Sequence, residues 1–250
     1  MPKLTFLLLV LIVSTLGLSL IRQTFTRPTA PDAAQKVTNR NRSEEAKQHF
    51  PLAEYNEPEL ADPAKNEAKK EKQKRHNNFK FVAKNPQSWQ TESVFIPEAN
   101  FNFPALPVST TPLIVVGRVG EASAHLSEHK MNVYSEFVIA VSSVLKTPTE
   151  RITDSSVLTV ERLGGHVKYP SGQRVLFRIS GWNMPKVGSE YLFFLNSRNK
   201  SDWEIVTAYE LTESGVVPLD ESSQFEALTG TSSLDLLKQV RVLISEQPSR

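Results

Sequence analysis

The chain has 250 residues, a length that allows one or two domains. Its 29 Lys+Arg against 27 Asp+Glu leave a net charge of +2, which excludes a strongly basic nucleic-acid protein and a strongly acidic solvating one. Cysteine is absent, which excludes disulfides, thiolate zinc sites, iron–sulfur clusters and a cysteine nucleophile.

Leu4 to Ile21 reads LTFLLLVLIVSTLGLSLI and carries no charge. As a helix these 18 residues reach about 27 Å, close to the ~30 Å hydrocarbon core of a bilayer. Residues 1–21 are therefore expected to be a signal anchor, with membrane contact through Leu4–Ile21. The alternative is a cleaved signal peptide ending at Gly17-Leu18-Ser19, which would leave a secreted protein. Basic residues lie on both sides of the run: Lys3 before it, and Arg22, Arg27, Lys36 and Arg40 after it. Counted literally they favour a cytoplasmic body. A short N-terminal tail before a long domain favours export, and the extracytoplasmic reading is kept.

Residues 22–78 hold five prolines and show no sustained apolar pattern. The stretch Lys65–Arg75 is polar on every helical face, so the segment is expected to be a disordered charged linker. Residues 79–111 combine aromatic bulk (Phe79, Phe81, Trp89, Phe95, Phe101, Phe103) with Pro86, Pro97, Pro104 and Pro107. Those prolines forbid long helices and central strands, which leaves an extended segment lying on a domain.

The domain itself is expected over 112–250, with a net charge of −2. Leu113–Val119 is a β-branched run. Asn132–Lys146 alternates, with Val133, Ser135, Phe137, Ile139, Val141 and Ser143 on one face and Tyr134, Glu136, Val138, Ala140 and Ser142 on the other. Further strands are expected over Ser156–Arg162, Arg174–Ser180, Glu190–Leu195 and Trp203–Ala208. Ser232, with Asp235 three residues on, caps a C-terminal helix whose Leu234, Leu237, Val240 or Arg241, and Ile244 give it an apolar face. The fold class is all-β, a barrel or a sandwich of five to six strands with a C-terminal packing helix.

Three stretches carry a resemblance: Val115-Val116-Gly117-Arg118-Val119, Tyr134 to Lys146, and Gly188 to Leu195, which reads GSEYLFFL. Together they resemble the netrin-like or TIMP-like OB-barrel, most nearly its uncharacterised bacterial type, over about residues 112–245. The resemblance implies an OB-like barrel and says little of function, since one fold hosts many activities. Metalloproteinase inhibitors of this fold insert an N-terminal cysteine amine into the protease zinc site. A chain without cysteine lacks that route.

Few residues stand out for chemistry. His125 and His129, four apart beside Glu128, are the candidate metal ligands, in a segment expected to be the loop between the first two strands. His166 after Gly164-Gly165, and Trp182 in the loop before the core strand, are the candidate ligand-binding residues. No catalytic residue and no cofactor is indicated: there is no G-x-S-x-G elbow, P-loop or dinucleotide fingerprint.

The expected function is thus a membrane-tethered, extracytoplasmic binding module for another protein or an envelope polymer. One alternative is a metal-dependent or hydrolytic enzyme using His125 and His129. The other is an OB-fold binder of polysaccharide or nucleic acid, the latter opposed by the domain's negative charge.

Overall fold

Alternation of apolar and polar residues dominates the second half of the chain, and the fold follows it. The computed structural model describes residues 50–78, 93–96, 102–149, 151–198 and 202–247. The apolar run Leu4–Ile21, the first part of the expected linker and the aromatic stretch 79–92 lie outside the described residues. Among the described residues, no helix is long and apolar enough to cross a membrane.

The protein is mostly β-sheet. The principal strands are β3 (Leu113–Leu126), β4 (Val133–Lys146), β5 (Val157–Leu163), β8 (Glu190–Ser197), β9 (Trp203–Thr212) and β10 (Gly215–Pro218). They form one six-stranded sheet in the order β10-β9-β5-β4-β3-β8. Strands β8 and β9 also pair with each other, so the sequence of pairings β3-β4-β5-β9-β8 returns to β3. All of these contacts are antiparallel except β5–β9, which is parallel at Val160↔Trp203 and Glu161↔Glu204.

One set of alternate side chains points to a common core: Leu113, Val115 and Val119 of β3, Phe137, Ile139 and Val141 of β4, Leu158 and Val160 of β5, and Tyr191, Phe193 and Leu195 of β8. The opposite faces of β3 and β8, carrying Ile114, Val116, Leu192 and Phe194, form a second core with Leu106, Val108 and the C-terminal helix. Gly117 is required where β3 crosses β4. A Cβ there would stand 2.5 Å from Ile139 Cγ2 and 2.9 Å from the Ala140 carbonyl oxygen.

The C-terminal helix forms over Ser233–Ser245, but its packed face is turned from the expected one: Leu234 is 59% exposed, and Leu237 and Ile244 are half-buried. Ser232 Oγ accepts the Asp235 amide at 3.1 Å, and Leu236 and Val240 are buried. With the single turn Ser223–Glu226, which buries Phe225, it covers the second core.

A smaller four-stranded sheet was not foreseen, and it takes the strand expected over Arg174–Ser180 out of the main sheet. The centre of the smaller sheet is the hairpin β6 (Gly165–Lys168) and β7 (Arg174–Ile179). Each edge receives one parallel strand from the N-terminal part of the chain: β1 (Leu52–Glu54) beside β6 and β2 (Ser93–Ile96) beside β7. Strands this short, flanked by Pro51 and Pro97, give almost no periodic signal.

The linker expectation needs correction from residue 50 onward. Phe50 is 5% exposed in the main core, and Ala53, on β1 of the smaller sheet, is buried with Val167 and Val175. Pro63–Arg75 is an α-helix, α1, followed by the 3₁₀ turn His76–Asn78. Asp62 caps α1 by accepting the Ala64 and Lys65 amides, and Pro63 occupies the first turn. Lys72, Lys74 and Arg75 in the last turn complement the negative end of the helix dipole. Helix α1 buries none of its residues, so an apolar stripe is not what holds it.

Candidate functional site

Glutamates recur at one level of the sheet. Glu136 of β4 lies opposite Glu161 of β5, and Glu161 lies opposite Glu204 of β9. Three carboxylates in register on strands about 4.8 Å apart repel one another and would weaken the sheet without compensation. Asp202 stands beside them.

Compensation comes from α1. Its inward residues are Asn66, Lys69, Lys72, Gln73 and Arg75, a polar stripe at helical spacing, while Glu67, Lys70, Glu71 and Lys74 face solvent. Lys72 Nζ is 2.6 Å from Glu136, 3.3 Å from Glu161 and 4.0 Å from Asp202. Arg75 pairs with Asp202, and its Nη2 is 3.6 Å from Glu161 Oε1. His76, 3% exposed, places Nε2 3.1 Å from Glu161 Oε2 and stacks on Tyr134 at 4.0 Å between ring centres. The His76 carbonyl accepts the Asn132 side-chain amide at 2.5 Å. Glu204 is held separately, by two hydrogen bonds from Arg198 at 2.6 and 2.7 Å.

His125 closes the other end. Its Nδ1 is 3.1 Å from Glu57, in the connection between β1 and α1, and its Nε2 is 3.1 Å from Ser123 Oγ and 3.6 Å from Glu136. Lys69 joins Glu57 at 2.6 Å. Burial works against the charge on His125, but the Glu136 and Glu57 carboxylates outweigh it and push the pKa up to about 9. Burial alone would raise Glu136. Facing His125 and Lys72, it is pulled down to about 2. Glu161 and Glu57 are lowered in the same way, against their burial. Burial and the neighbouring carboxylates together raise the Tyr134 hydroxyl. Glu57, Glu136, Glu161, Lys72 and His125 are therefore held in their charged forms between a helix and a sheet face.

The candidates from sequence fall in different places. His125 belongs to strand β3, whereas His129 is exposed in the turn after it, where its amide donates to Asn77 Oδ1. The two are not brought together, and among the described residues no group of three or more His, Asp or Glu has the arrangement to hold a metal ion. His166 lies on β6, not in a turn, with Nδ1 3.2 Å from the Phe50 carbonyl oxygen. Trp182 is half-buried beside Tyr134, Leu163 and Ile179, with the Arg162 guanidinium 4.7 Å over its ring. Arg162 is itself fully buried and paired with the equally buried Asp220.

Sequence reasoning passed over Glu136, Glu161, Glu204, Lys72, Arg75 and His76. One signal was present: Glu136 and Glu161 each interrupt a strand of apolar and small residues. Comparison of the chain with family models, curated proteins and solved structures finds no match.

Proposed function

We propose that the protein is a membrane-tethered, extracytoplasmic interaction module whose body is an OB-like barrel of the netrin-like type. The circular order of pairings β3-β4-β5-β9-β8, with its single parallel contact, supports the barrel reading. The apolar run Leu4–Ile21 supports the tether.

One observation carries the binding role. The charged face of β4, β5 and β9 holds a peptide segment through side-chain ion pairs, with no apolar stripe between them. A face with that chemistry recognises a charged macromolecular partner, and a protein suits it better than an envelope polymer because its cationic contacts are met at helical spacing. The test is a crosslinking pull-down from native membranes with the full-length tagged protein and with Glu136→Lys/Glu161→Lys. The expected result is a partner recovered with the wild-type bait and lost with the charge-reversed one. Equal recovery by both, or background alone with both, overturns the reading.

A further inference from the structure

The in-register row Glu136–Glu161–Glu204 is a local conflict that the fold keeps. Like charges directly opposite on neighbouring strands are destabilising, and such conflicts mark places where something beyond folding is served. At Glu136 and Glu161 the conflict is relieved by α1, a segment that contributes no buried apolar side chain to its own docking, while Arg198 holds Glu204. The relief is also incomplete. Glu161 is 2% exposed, yet its Oε1 accepts no hydrogen bond, although Lys72 Nζ stands 3.3 Å away and Arg75 Nη2 3.6 Å away. On the helix side, Arg75 Nε and Nη2 are equally without hydrogen-bond partners.

We infer that the Glu136–Glu161–Asp202 face is a docking surface for a lysine- and arginine-bearing helix of another protein, and that α1 occupies it in cis as a displaceable stand-in. The inference rests on the interaction-module reading and names the chemistry of the partner. Charge complementarity selects a cation array: three carboxylates converge on Lys72 and Arg75, three residues apart on one helical face. A guanidinium in the Lys72 position would supply the donor that Glu161 Oε1 lacks. Displacement is within reach because Lys72 and Arg75 keep 23% and 30% of their side chains exposed, so water takes up part of their charge as they leave, while the buried Glu161 must be met by an incoming cation. His76 on Tyr134 and Glu57 on His125 anchor the two ends of α1, so a partner helix must exceed α1 in cationic contacts to exchange with it.

The test uses the full-length protein and a synthetic peptide of residues 60–78 in which Lys72 is replaced by Arg. Hydrogen exchange on the wild-type protein should show α1 amides exchanging at least fivefold faster in excess peptide, with β3 and β4 amides unchanged. A Lys72→Glu/Arg75→Glu protein, its own helix repelled from the face, should bind the labelled peptide at least tenfold more tightly than wild type. That binding should disappear with Glu161→Gln and in 0.5 M salt. Unchanged α1 exchange, or peptide binding that is indifferent to Glu161→Gln, overturns the inference. The exchange measurement needs no variant, so it decides the matter even where the double substitution fails to fold. A negative result here with a positive pull-down would leave the interaction module standing with a partner of other chemistry.

Discussion

Each ring nitrogen of His125 faces an oxygen: Nδ1 meets Glu57 at 3.1 Å, and Nε2 meets Ser123 at 3.1 Å with Glu136 beyond. Its pKa stands at about 9 against an ordinary 6.5, so the folded state holds this proton more tightly than the unfolded chain. The resulting stability is complete below about pH 6.5 and is lost as pH rises through about 9; it amounts to at most about 3 kcal/mol. Denaturation curves from pH 6 to 10 should show that loss in the wild-type protein and a flatter profile in His125→Gln. Glu136 has the opposite sign. Its contribution is present above about pH 4.5 and fades as pH falls through about 2. A second residue-scale prediction concerns Arg162 and Asp220, both wholly buried. Burial pulls Arg162 down and pushes Asp220 up, and each one's charge resists the other's shift. Arg162→Met alone leaves a buried carboxylate unpaired and should cost about 3–5 kcal/mol. Arg162→Met/Asp220→Leu should recover most of that loss in the same unfolding assay.

At the scale of the element, α1 and the C-terminal helix are opposites. The start of the C-terminal helix is legible because Ser232 and Asp235 mark it, but its face is legible only in part: Leu236 and Val240 are the buried pair, whereas the expected Leu234 is 59% exposed. Helix α1 is illegible because its inward stripe is Asn66, Lys69, Lys72 and Gln73, and its partners Glu136, Glu161 and Asp202 lie 64 or more residues away in sequence. A single chain read for hydrophobic periodicity contains no trace of such pairing. Strand β4 is largely legible: Val133, Ser135, Phe137, Ile139 and Val141 of the expected face are buried, but Ser143 is only half-buried, and Tyr134 on the opposite face is buried under His76. The candidate site fared worse, since His125 was visible as a residue but its true neighbours were not. A difference in salt response follows. Ion pairs between part-exposed groups are screened, whereas burial of Leu236 and Val240 is not weakened by salt. Raising the salt from about 0.05 to 1 M should accelerate hydrogen exchange in α1 selectively. Equal acceleration in both helices would contradict an ionic attachment of α1.

Taken as a whole, the molecule ties its N-terminal segment to its body by two unlike means. The charged face holds α1, while Phe50 and Ala53 hold the chain that leads into it. Phe50 sits in the main core at 5% exposure with its ring edge-on to His166, and its carbonyl oxygen lies 3.2 Å from His166 Nδ1. The His166 amide donates to the Pro51 carbonyl at 2.7 Å, and β1 continues the pairing through Glu54↔Lys168. An apolar anchor that reaches the core makes residues 50–54 part of the cooperative unit, whereas α1 beyond them is attached at the surface. Phe50→Ala therefore removes a core side chain and should cost about 3–5 kcal/mol, with unfolding still a single transition. Leu60→Ala, at a position 43% exposed, should stay within about 0.5 kcal/mol of wild type. Chemical denaturation followed by both tryptophan fluorescence and circular dichroism separates the cases. A Phe50→Ala loss as small as that of Leu60→Ala would mean that the segment rests on the body without completing its core. The full loss would mean that only α1, and not the chain leading into it, is free to exchange with a partner.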